Sequence, residues 1–254
     1  MLRAFLDGAV FGTTSGDEAP SVLLLHGWRR THEDFDRVAG ALEDKGVSSV
    51  ALDLPGFGAT PAPPVAMGAR GYAAQLGDLV ESSAAGGAPV VLVGHSFGGR
   101  VAVCLAAARP DAVAGVVLSG VPLVRSAMPR ASPSLRYRAV RAAARLGMVP
   151  ERRLEAARRR HGSSDYKAAT GVVRGVLVAC VSESYEAELA ALRCPVALVW
   201  GADDTTVPLD VARAAQRLVP AATFEVLDGV GHLVPTEAPE RLAHAALAML
   251  RGTS

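Results

Sequence analysis

The sequence is short of cysteine and of aromatic residues, and it carries almost no excess charge. Its cysteines are odd in number and show no Cys-x-x-Cys spacing, which argues against a disulfide framework and against a zinc site. We expect Cys104, Cys180 and Cys194 to be small core residues. A formal net charge of +1 at pH 7 provides no general attraction to nucleic acid or to a membrane surface, and we expect neither as a partner.

Long apolar runs are also missing from the chain. The N-terminal segment MLRAFLDGAV is interrupted by Asp7 and Gly8, so it is too short and too polar for a signal peptide. No other apolar run approaches the length that spans a membrane, and we therefore expect a cytoplasmic protein. Alanine and arginine are abundant whereas lysine is scarce, a composition typical of bacteria with GC-rich genomes.

The chain does have apolar content, 50% of its 254 residues, which is enough for one large core. Short apolar runs, most of them ending in glycine or a turn, alternate with amphipathic segments. The runs predict strands at 20–27, 46–54, 89–94, 112–120, 195–201 and 223–229. The segments between them predict helices at 33–46, 67–84, 97–110, 208–220 and 236–252. This alternation predicts an α/β fold with a parallel sheet covered by helices on both faces, and residues 12–20 are expected to form a surface loop or a hairpin turn.

One block interrupts the alternation. Residues 121–175 contain no convincing strand but two arginine-rich helical patterns, SLRYRAVRAAARLG and ERRLEAARRRHG. The block carries 13 basic and 3 acidic residues, a net charge of +10, so the rest of the chain is acidic at −9. An insertion of this kind between two strands predicts a helical cap or lid. We assign 121–189 to the cap, and 1–120 together with 190–254 to the α/β core.

Ser96 lies in the sequence Gly94-His95-Ser96-Phe97-Gly98, between a predicted strand and a predicted helix. This is the G-x-S-x-G pattern of a nucleophile elbow. A sharp strand-to-helix turn strains the serine backbone, and the positions two before and two after it must lack a Cβ atom. The turn projects the hydroxyl above the sheet at a helix N-terminus, where developing negative charge is favoured. The pattern therefore predicts a nucleophilic serine.

A serine hydroxyl needs a base and an orienting carboxylate, expected in the order Ser, Asp or Glu, His along the chain. Asp203 and Asp204 follow the strand predicted at 195–201, and His232 follows the last predicted strand. Loops at the carboxyl ends of parallel strands share one rim of the sheet. These groups are therefore expected to converge on Ser96.

Five motifs in this order resemble the α/β-hydrolase superfamily, in particular capped members with a serine nucleophile such as esterases and C–C bond hydrolases. The motifs are LLLHGW (23–28), DLPGFGAT (53–60), GHSFGG (94–99), WGADDTTVP (200–208) and GVGHLVPTEAPERL (229–242). The resemblance implies a mostly parallel, twisted sheet with the helical cap inserted after strand 6. In the family's G-x-x-D-x-x-V-P pattern the acid is the fourth residue, which selects Asp204 and leaves Asp203 as a capping or turn carboxylate.

The resemblance also implies an oxyanion hole formed by the backbone N–H groups of Trp28 and Phe97. It makes His26 a structural residue, although by residue type His26 is also a candidate base and a candidate substrate-pocket residue. His95 is expected to pack or hydrogen-bond away from the nucleophile, and Asp53 to shape the PGFG loop.

Further candidates for the substrate pocket are Arg100, Arg136 and Tyr137. Cap arginines, with Arg136, Arg138 and Arg141 foremost, would clamp a carboxylate or phosphate of an acidic substrate or carrier protein. The alternative is an amphipathic helix with its arginines in solvent, since in RRLEAARRRHG arginine lies alongside alanine and leucine. Both interpretations stay open. The apolar residues of the cap favour an apolar acyl or ring pocket.

These observations predict a serine hydrolase that cleaves an ester, or a related acyl or C–C bond, of a small and largely apolar molecule without a metal or organic cofactor. By resemblance, a serine at the elbow excludes epoxide hydrolases and haloalkane dehalogenases, which carry aspartate there. Two alternatives remain. One is a triad-bearing lyase, acyltransferase, cofactor-free haloperoxidase-like enzyme or menaquinone-pathway synthase; the other is a non-catalytic ligand receptor on the same fold. The sequence does not indicate an oligomeric state.

Overall fold

The computed structural model describes residues 1–85, 88–124, 139–140, 142–144, 146–150, 152–154 and 164–251. Short strands of four to seven residues, most of them apolar, form one sheet. The strands of the described part are β1 (Leu2–Phe5), β2 (Val10–Ser15), β3 (Val22–Leu25), β4 (Ser49–Asp53), β5 (Val90–His95), β6 (Val113–Ser119), β7 (Val196–Gly201) and β8 (Thr223–Leu227). Every residue of β3 to β7 is buried, as expected for strands covered on both faces.

The strand order is β1-β2-β4-β3-β5-β6-β7-β8. The pairs β1–β2 and β2–β4 are antiparallel, and all the others are parallel. Strands β3 and β5 to β8 therefore end side by side at one rim of the sheet. The predicted α/β class with a mostly parallel sheet is confirmed.

Helices cover both faces of the sheet. The helices of the core are α1 (Asp36–Glu43), α2 (Ala69–Ala85), α3 (Phe97–Ala108), and further along the chain Leu209–Leu218, Val234–Glu237 and Pro239–Arg251, with a 3₁₀ turn at His32–Phe35 before α1. One hydrophobic cluster joins α2, α3 and the 209–218 helix to the sheet. A second cluster joins α1 and the 239–251 helix to the opposite face.

The N-terminal hairpin is the main departure from the sequence analysis. The expectation of a surface loop or hairpin turn over 12–20 is wrong for residues 12–15, which belong to β2, and β1 was not predicted at all. The glycine, threonine and serine of β2 resemble a loop composition. Gly12 is nevertheless suited to this strand, because a Cβ atom there would overlap the carbonyl oxygen of Ala51 on β4.

The insertion between β6 and β7 contains helices in its described part, whereas the two arginine-rich helical patterns predicted at 134–147 and 151–162 lie largely outside the described residues. It contains α4 (Ser164–Ala168), α5 (Gly171–Ser182) and α6 (Glu186–Ala190), so the core helices that follow are α7 (Leu209–Leu218), α8 (Val234–Glu237) and α9 (Pro239–Arg251). The carboxylate of Glu183, which follows α5, accepts a 2.9 Å hydrogen bond from the N–H of Ala69 at the start of α2. The end of α5 is thereby fixed to the core. The assignment of 121–189 as a separate cap stays a prediction.

Candidate active site

Ser96 occupies the turn between β5 and α3 with φ 50° and ψ −108°, a conformation that a residue with a side chain rarely adopts. Its N–H donates to the carbonyl of Ser119 at 2.9 Å. Two flanking glycines make the turn possible. A Cβ atom on Gly94 would lie 2.5 Å from Cα of Gly99, and one on Gly98 would overlap the carbonyl oxygen of Leu25. The strained elbow expected from the motif is present at Ser96.

The end of β3 lies against Ser96. A Cβ atom on Gly27 would be 3.5 Å from Cβ of Ser96, and the N–H of Gly98 donates to the carbonyl of His26 at 3.0 Å. Neither the N–H of Trp28 nor that of Phe97 donates to another described residue. Phe97 follows Ser96 and Trp28 follows Gly27, so both unbonded N–H groups belong to the two segments that meet at the elbow, as an oxyanion hole would require.

Asp204 and His232 form a hydrogen-bonded pair beyond the ends of β7 and β8. The Nδ1–H of His232 donates to Oδ2 of Asp204 at 2.8 Å, while Oδ1 accepts the N–H groups of Thr206 and Val207, both also at 2.8 Å. Asp204 is only 5% exposed, so a fixed and buried carboxylate holds the imidazole through one ring nitrogen. Asp203 is exposed and its backbone N–H bonds Val230. Of the two aspartates, Asp204 therefore faces His232.

The other side of the His232 ring rests on Gly120 and His95. Gly120 has φ +58°, and a Cβ atom there would lie 2.8 Å from Cε1 of His232. The ring centroids of His95 and His232 are 4.8 Å apart. No hydrogen bond joins Ser96 Oγ to His232 among the described residues; such pairs are often long before substrate binds.

Both histidines of the sequence motifs near Ser96 are neutral structural residues. His26 is fully buried, its Nδ1–H donates to the carbonyl of Gly27 at 2.7 Å, and its Nε2 accepts the N–H of Leu54 at 2.9 Å. Burial lowers the pKa of His26 to about 4. With both ring nitrogens engaged, His26 is unsuited to either of its alternative roles, as base or as pocket residue.

His95 also points into the protein, as expected. Its Nδ1–H donates to the carbonyl of Ser119 at 3.1 Å, with the Ser119 hydroxyl at the same distance. Burial, reinforced by the neighbouring His232, lowers the pKa of His95 to about 3. The ring that touches His232 is therefore uncharged.

Asp53 organises the loop that follows β4. Its carboxylate accepts hydrogen bonds from the N–H of His32, the ring Nδ1–H of His32 and the N–H of Ala59, at 2.8 to 2.9 Å. Burial acts to raise the pKa of Asp53, but these hydrogen bonds and the nearby His32 outweigh burial and lower it. The loop holds Phe57 against Trp28, with ring centroids 5.0 Å apart.

Aromatic rings line the region around the elbow. Phe97 contacts Trp28, Phe57 and Tyr72 with centroid distances of 5.5, 6.0 and 5.0 Å. Tyr72 is fully buried, whereas Trp28 is partly exposed. Trp28 and Phe97, the two residues with unbonded backbone N–H groups, thus also place their aromatic side chains at the elbow as an apolar wall.

Arg100 connects the elbow helix α3 to the insertion. Its Nη1 donates to the carbonyl of Cys180 on α5 at 3.1 Å, and its guanidinium lies 5.7 Å from the ring centroid of Tyr185. None of its hydrogen bonds within the described part of the chain involves Ser96, Asp204 or His232. The other pocket candidates, Arg136 and Tyr137, lie outside the described residues, as do Arg138 and Arg141.

No role was predicted from the sequence for Gly120, Ser119 or Glu237. Gly120 and Glu237 lie beside His232 and its neighbours, and Ser119 lies beside His95. A glycine directly after a strand was a usable signal for Gly120, whereas hydrogen bonds to backbone groups leave no pattern in one sequence. The described residues contain no cluster of three or more metal-ligating side chains. Within that same part of the chain, no helix has the length and apolarity needed to cross a membrane.

The profile of the alpha/beta hydrolase family matches residues 22–245. The chain belongs to this family. The strand order and the elbow are those of an α/β hydrolase, so the resemblance inferred from the five motifs is confirmed, and the protein is an enzyme of the hydrolase class.

Related proteins include several hydrolases. The chain is 31% identical over 227 residues to a pimeloyl-[acyl-carrier protein] methyl ester esterase of Chromobacterium violaceum, covering 82% of this chain and 85% of the esterase. It is 28% identical over 271 residues to a 2-hydroxy-6-oxononadienedioate/2-hydroxy-6-oxononatrienedioate hydrolase of Burkholderia vietnamiensis, covering 94% and 89%. A thermophilic esterase from Thermogutta terrifontis shares the fold, with a TM-score of 0.68, 24% identity, and coverage of 98% of this chain and 96% of that one.

Proposed function

We propose that this α/β hydrolase is a carboxylesterase-like serine hydrolase with Ser96 as nucleophile, His232 as general base and Asp204 as the orienting carboxylate. One observation carries the proposal. The buried Asp204, joined to the partly exposed His232 at 2.8 Å, lies at the same rim of the sheet as the strained turn that presents Ser96. A serine, a histidine and an orienting carboxylate are the parts that acyl transfer requires.

In the proposed mechanism, Ser96 Oγ attacks the acyl carbonyl carbon while Nε2 of His232 takes the hydroxyl proton. The N–H groups of Trp28 and Phe97 stabilise the oxyanion of the tetrahedral intermediate. The imidazolium then protonates the leaving alcohol, which leaves Ser96 acylated. Water attacks the acyl-enzyme with the same histidine as base, and the acid and free Ser96 are released. Asp204 stabilises the imidazolium in both steps and keeps its free nitrogen facing Ser96.

The substrate is proposed to be a small, largely apolar ester. Support comes from the partly exposed Trp28, which with Phe57 and Phe97 forms an aromatic wall beside Ser96. The relative from Chromobacterium violaceum is named as an esterase of an acyl-carrier-protein ester. An acidic substrate or carrier protein at the arginine-rich insertion, with its net charge of +10 over residues 121–175, is a further part of the proposal.

A second candidate activity is hydrolysis of a C–C bond. It is favoured by the relative from Burkholderia vietnamiensis, which is named as a hydrolase of 2-hydroxy-6-oxo dienoic and trienoic diacids. The same triad would serve, with a vinylogous diketone in place of the ester. A coloured dienol substrate that bleaches in the presence of enzyme, at a rate exceeding p-nitrophenyl ester hydrolysis, would favour this activity.

The deciding experiment is hydrolysis of p-nitrophenyl esters from acetate to dodecanoate by wild type and by Ser96→Ala. We expect turnover to fall by several orders of magnitude in Ser96→Ala, because the nucleophile is gone. Ser82→Ala, on the exposed side of α2, is the matched control and should keep full activity. Ester hydrolysis by Ser96→Ala at the rate of wild type would show that Ser96 is not the nucleophile. A folded wild type that hydrolyses no ester and resists a fluorophosphonate would instead support a non-catalytic receptor, and labelling without hydrolysis would support a lyase or transferase.

A further inference from the structure

The carboxylate of Glu237 binds the backbone on both sides of His232. Its Oε2 accepts the N–H of Gly231 at 2.7 Å, and its Oε1 accepts the N–H of Leu233 at 3.0 Å. Glu237 is the last residue of the short helix α8, which begins two residues after His232. The side chain of Glu237 thus links the backbone on the two sides of His232, the residue proposed above as the general base.

Helix capping explains only one of these two hydrogen bonds. Leu233 is the N-cap of α8, and an acidic side chain of the first turn that accepts the N-cap N–H is a common way to satisfy a helix N-terminus. The bond to Gly231 is different, because it reaches past His232 to the peptide group on its far side. Stabilising α8 alone would not require that second bond.

The loop before His232 is held to the sheet, but those contacts stop short of the histidine. Val230 accepts the N–H of Asp203 at 2.9 Å, and a Cβ atom on Gly201 would overlap the carbonyl oxygens of Val230 and Gly231. None of these contacts engages the backbone N–H of Gly231. The carboxylate of Glu237 accepts that N–H, and a carboxylate strengthens an N–H hydrogen bond.

We propose that Glu237 is a positioning residue that ties together the backbone N–H groups of Gly231 and Leu233, on either side of His232, and thereby aims its imidazole. The proposal rests on the role of His232 proposed above. Because the backbone is held on both sides of His232, the range of its Cα–Cβ direction is restricted. Its Nδ1 can then stay 2.8 Å from Asp204 while Nε2 faces Ser96. Proton transfer tolerates errors of only about 0.5 Å in such geometry.

A direct chemical role for Glu237 does not fit the contacts. Both of its oxygens are engaged by backbone N–H groups, and Nδ1 of His232 is already bonded to Asp204. Glu237 is also exposed, unlike the buried Asp204. It therefore acts on the orientation of the imidazole and not on its proton.

The test compares Glu237→Ala with Glu240→Ala. Glu240 is also exposed, lies three residues later and pairs with Arg37 at 3.0 Å, so its removal changes the charge equally without touching the His232 loop. For p-nitrophenyl ester hydrolysis we expect kcat of Glu237→Ala to fall at least tenfold with KM within twofold, and Glu240→Ala to match wild type. Glu237→Gln keeps one acceptor oxygen and should recover part of kcat.

A second readout does not depend on activity. The Nδ1–H proton of His232, held by Asp204, should give a downfield proton NMR signal in wild type and Glu240→Ala. In Glu237→Ala this signal should broaden or vanish, because a mobile imidazole exchanges its proton with water. An unchanged signal and unchanged kcat in Glu237→Ala would overturn the proposal. If wild type hydrolyses no ester, the NMR comparison alone decides for or against the positioning role.

Discussion

Replacing Asp204 by asparagine should remove most of the turnover while preserving the fold. An asparagine carbonyl oxygen can take the place of Oδ1 and accept the N–H groups of Thr206 and Val207, which both lie at 2.8 Å. Its amide NH₂ group then faces Nδ1 of His232, where Oδ2 stood, and donates to it. The imidazole is forced to carry its proton on Nε2. In that tautomer His232 cannot accept the proton of Ser96.

The expected magnitude follows from these contacts. A triad imidazole held in the wrong tautomer costs about 10⁴-fold in turnover, equivalent to roughly 5 kcal/mol of transition-state stabilisation. Stability should change far less, because both backbone hydrogen bonds survive with a neutral acceptor in place of a charged one. That exchange costs about 1 kcal/mol, or roughly 2 to 4 °C in Tm.

The assay is kcat for p-nitrophenyl butyrate alongside a thermal melt, with Asp203→Asn as the matched control. Asp203 is adjacent in sequence, exposed and not bonded to His232, so its variant should remain within twofold of wild type. Greater damage from Asp203→Asn than from Asp204→Asn would refute the assignment. Equal, small effects would mean that no carboxylate orients His232.

Two further predictions concern stability. Gly98→Ala should lower the free energy of unfolding by about 1 to 3 kcal/mol in urea titrations, because the added Cβ would overlap the Leu25 carbonyl and lie 2.7 Å from that of His26. Gly40→Ala, with open space around its Cβ position in α1, should stabilise by roughly 0.5 to 1 kcal/mol, and a loss there as large as at Gly98 would contradict the argument. The pKa of His26 near 4, against 6.5 in the unfolded chain, means that the unfolded state binds the extra proton. His26 therefore costs no stability above pH 6.5 and should account for roughly 3 kcal/mol of the loss toward pH 4, to which the similarly buried His95 adds its own share. His26→Gln should show a flatter dependence than wild type, and parallel curves would reject this cause.

The sequence was sufficient for the buried parallel strands, because residues with both faces covered must be apolar and continuous, as in Val22–Leu25 and Val90–His95. It was not sufficient for the hairpin β1–β2 at the edge of the sheet. An edge strand needs little apolar surface, and the close approach of Gly12 to β4 is visible only in three dimensions. The helices flanking the sheet were found at nearly their observed ranges because each buries one face, which leaves an amphipathic pattern in the sequence.

The candidate site divides in a similar way. Ser96, Asp204 and His232 follow strand ends in recognisable patterns, and the structure brings Asp204 and not Asp203 to His232. The roles of all three remain predictions. The contact of the His95 ring with His232 and the hydrogen bonds of Glu237 could not have been found, since ring contacts and bonds to backbone N–H groups do not depend on a spacing in the sequence.

The path of the chain out of β6 has a consequence for protein engineering. Gly120 lies against His232, and Val121 is fully buried at a position where a Cβ atom on Gly99 of the elbow helix would overlap it. Leu123 and Val124 are buried in the same cluster. A chimera that exchanges the insertion for that of another hydrolase should therefore be spliced after Val124. Splicing at residue 120 would replace Val121, which packs against the elbow helix, and would alter the chain directly after the glycine that lies against His232, so the activity of such a chimera should fall.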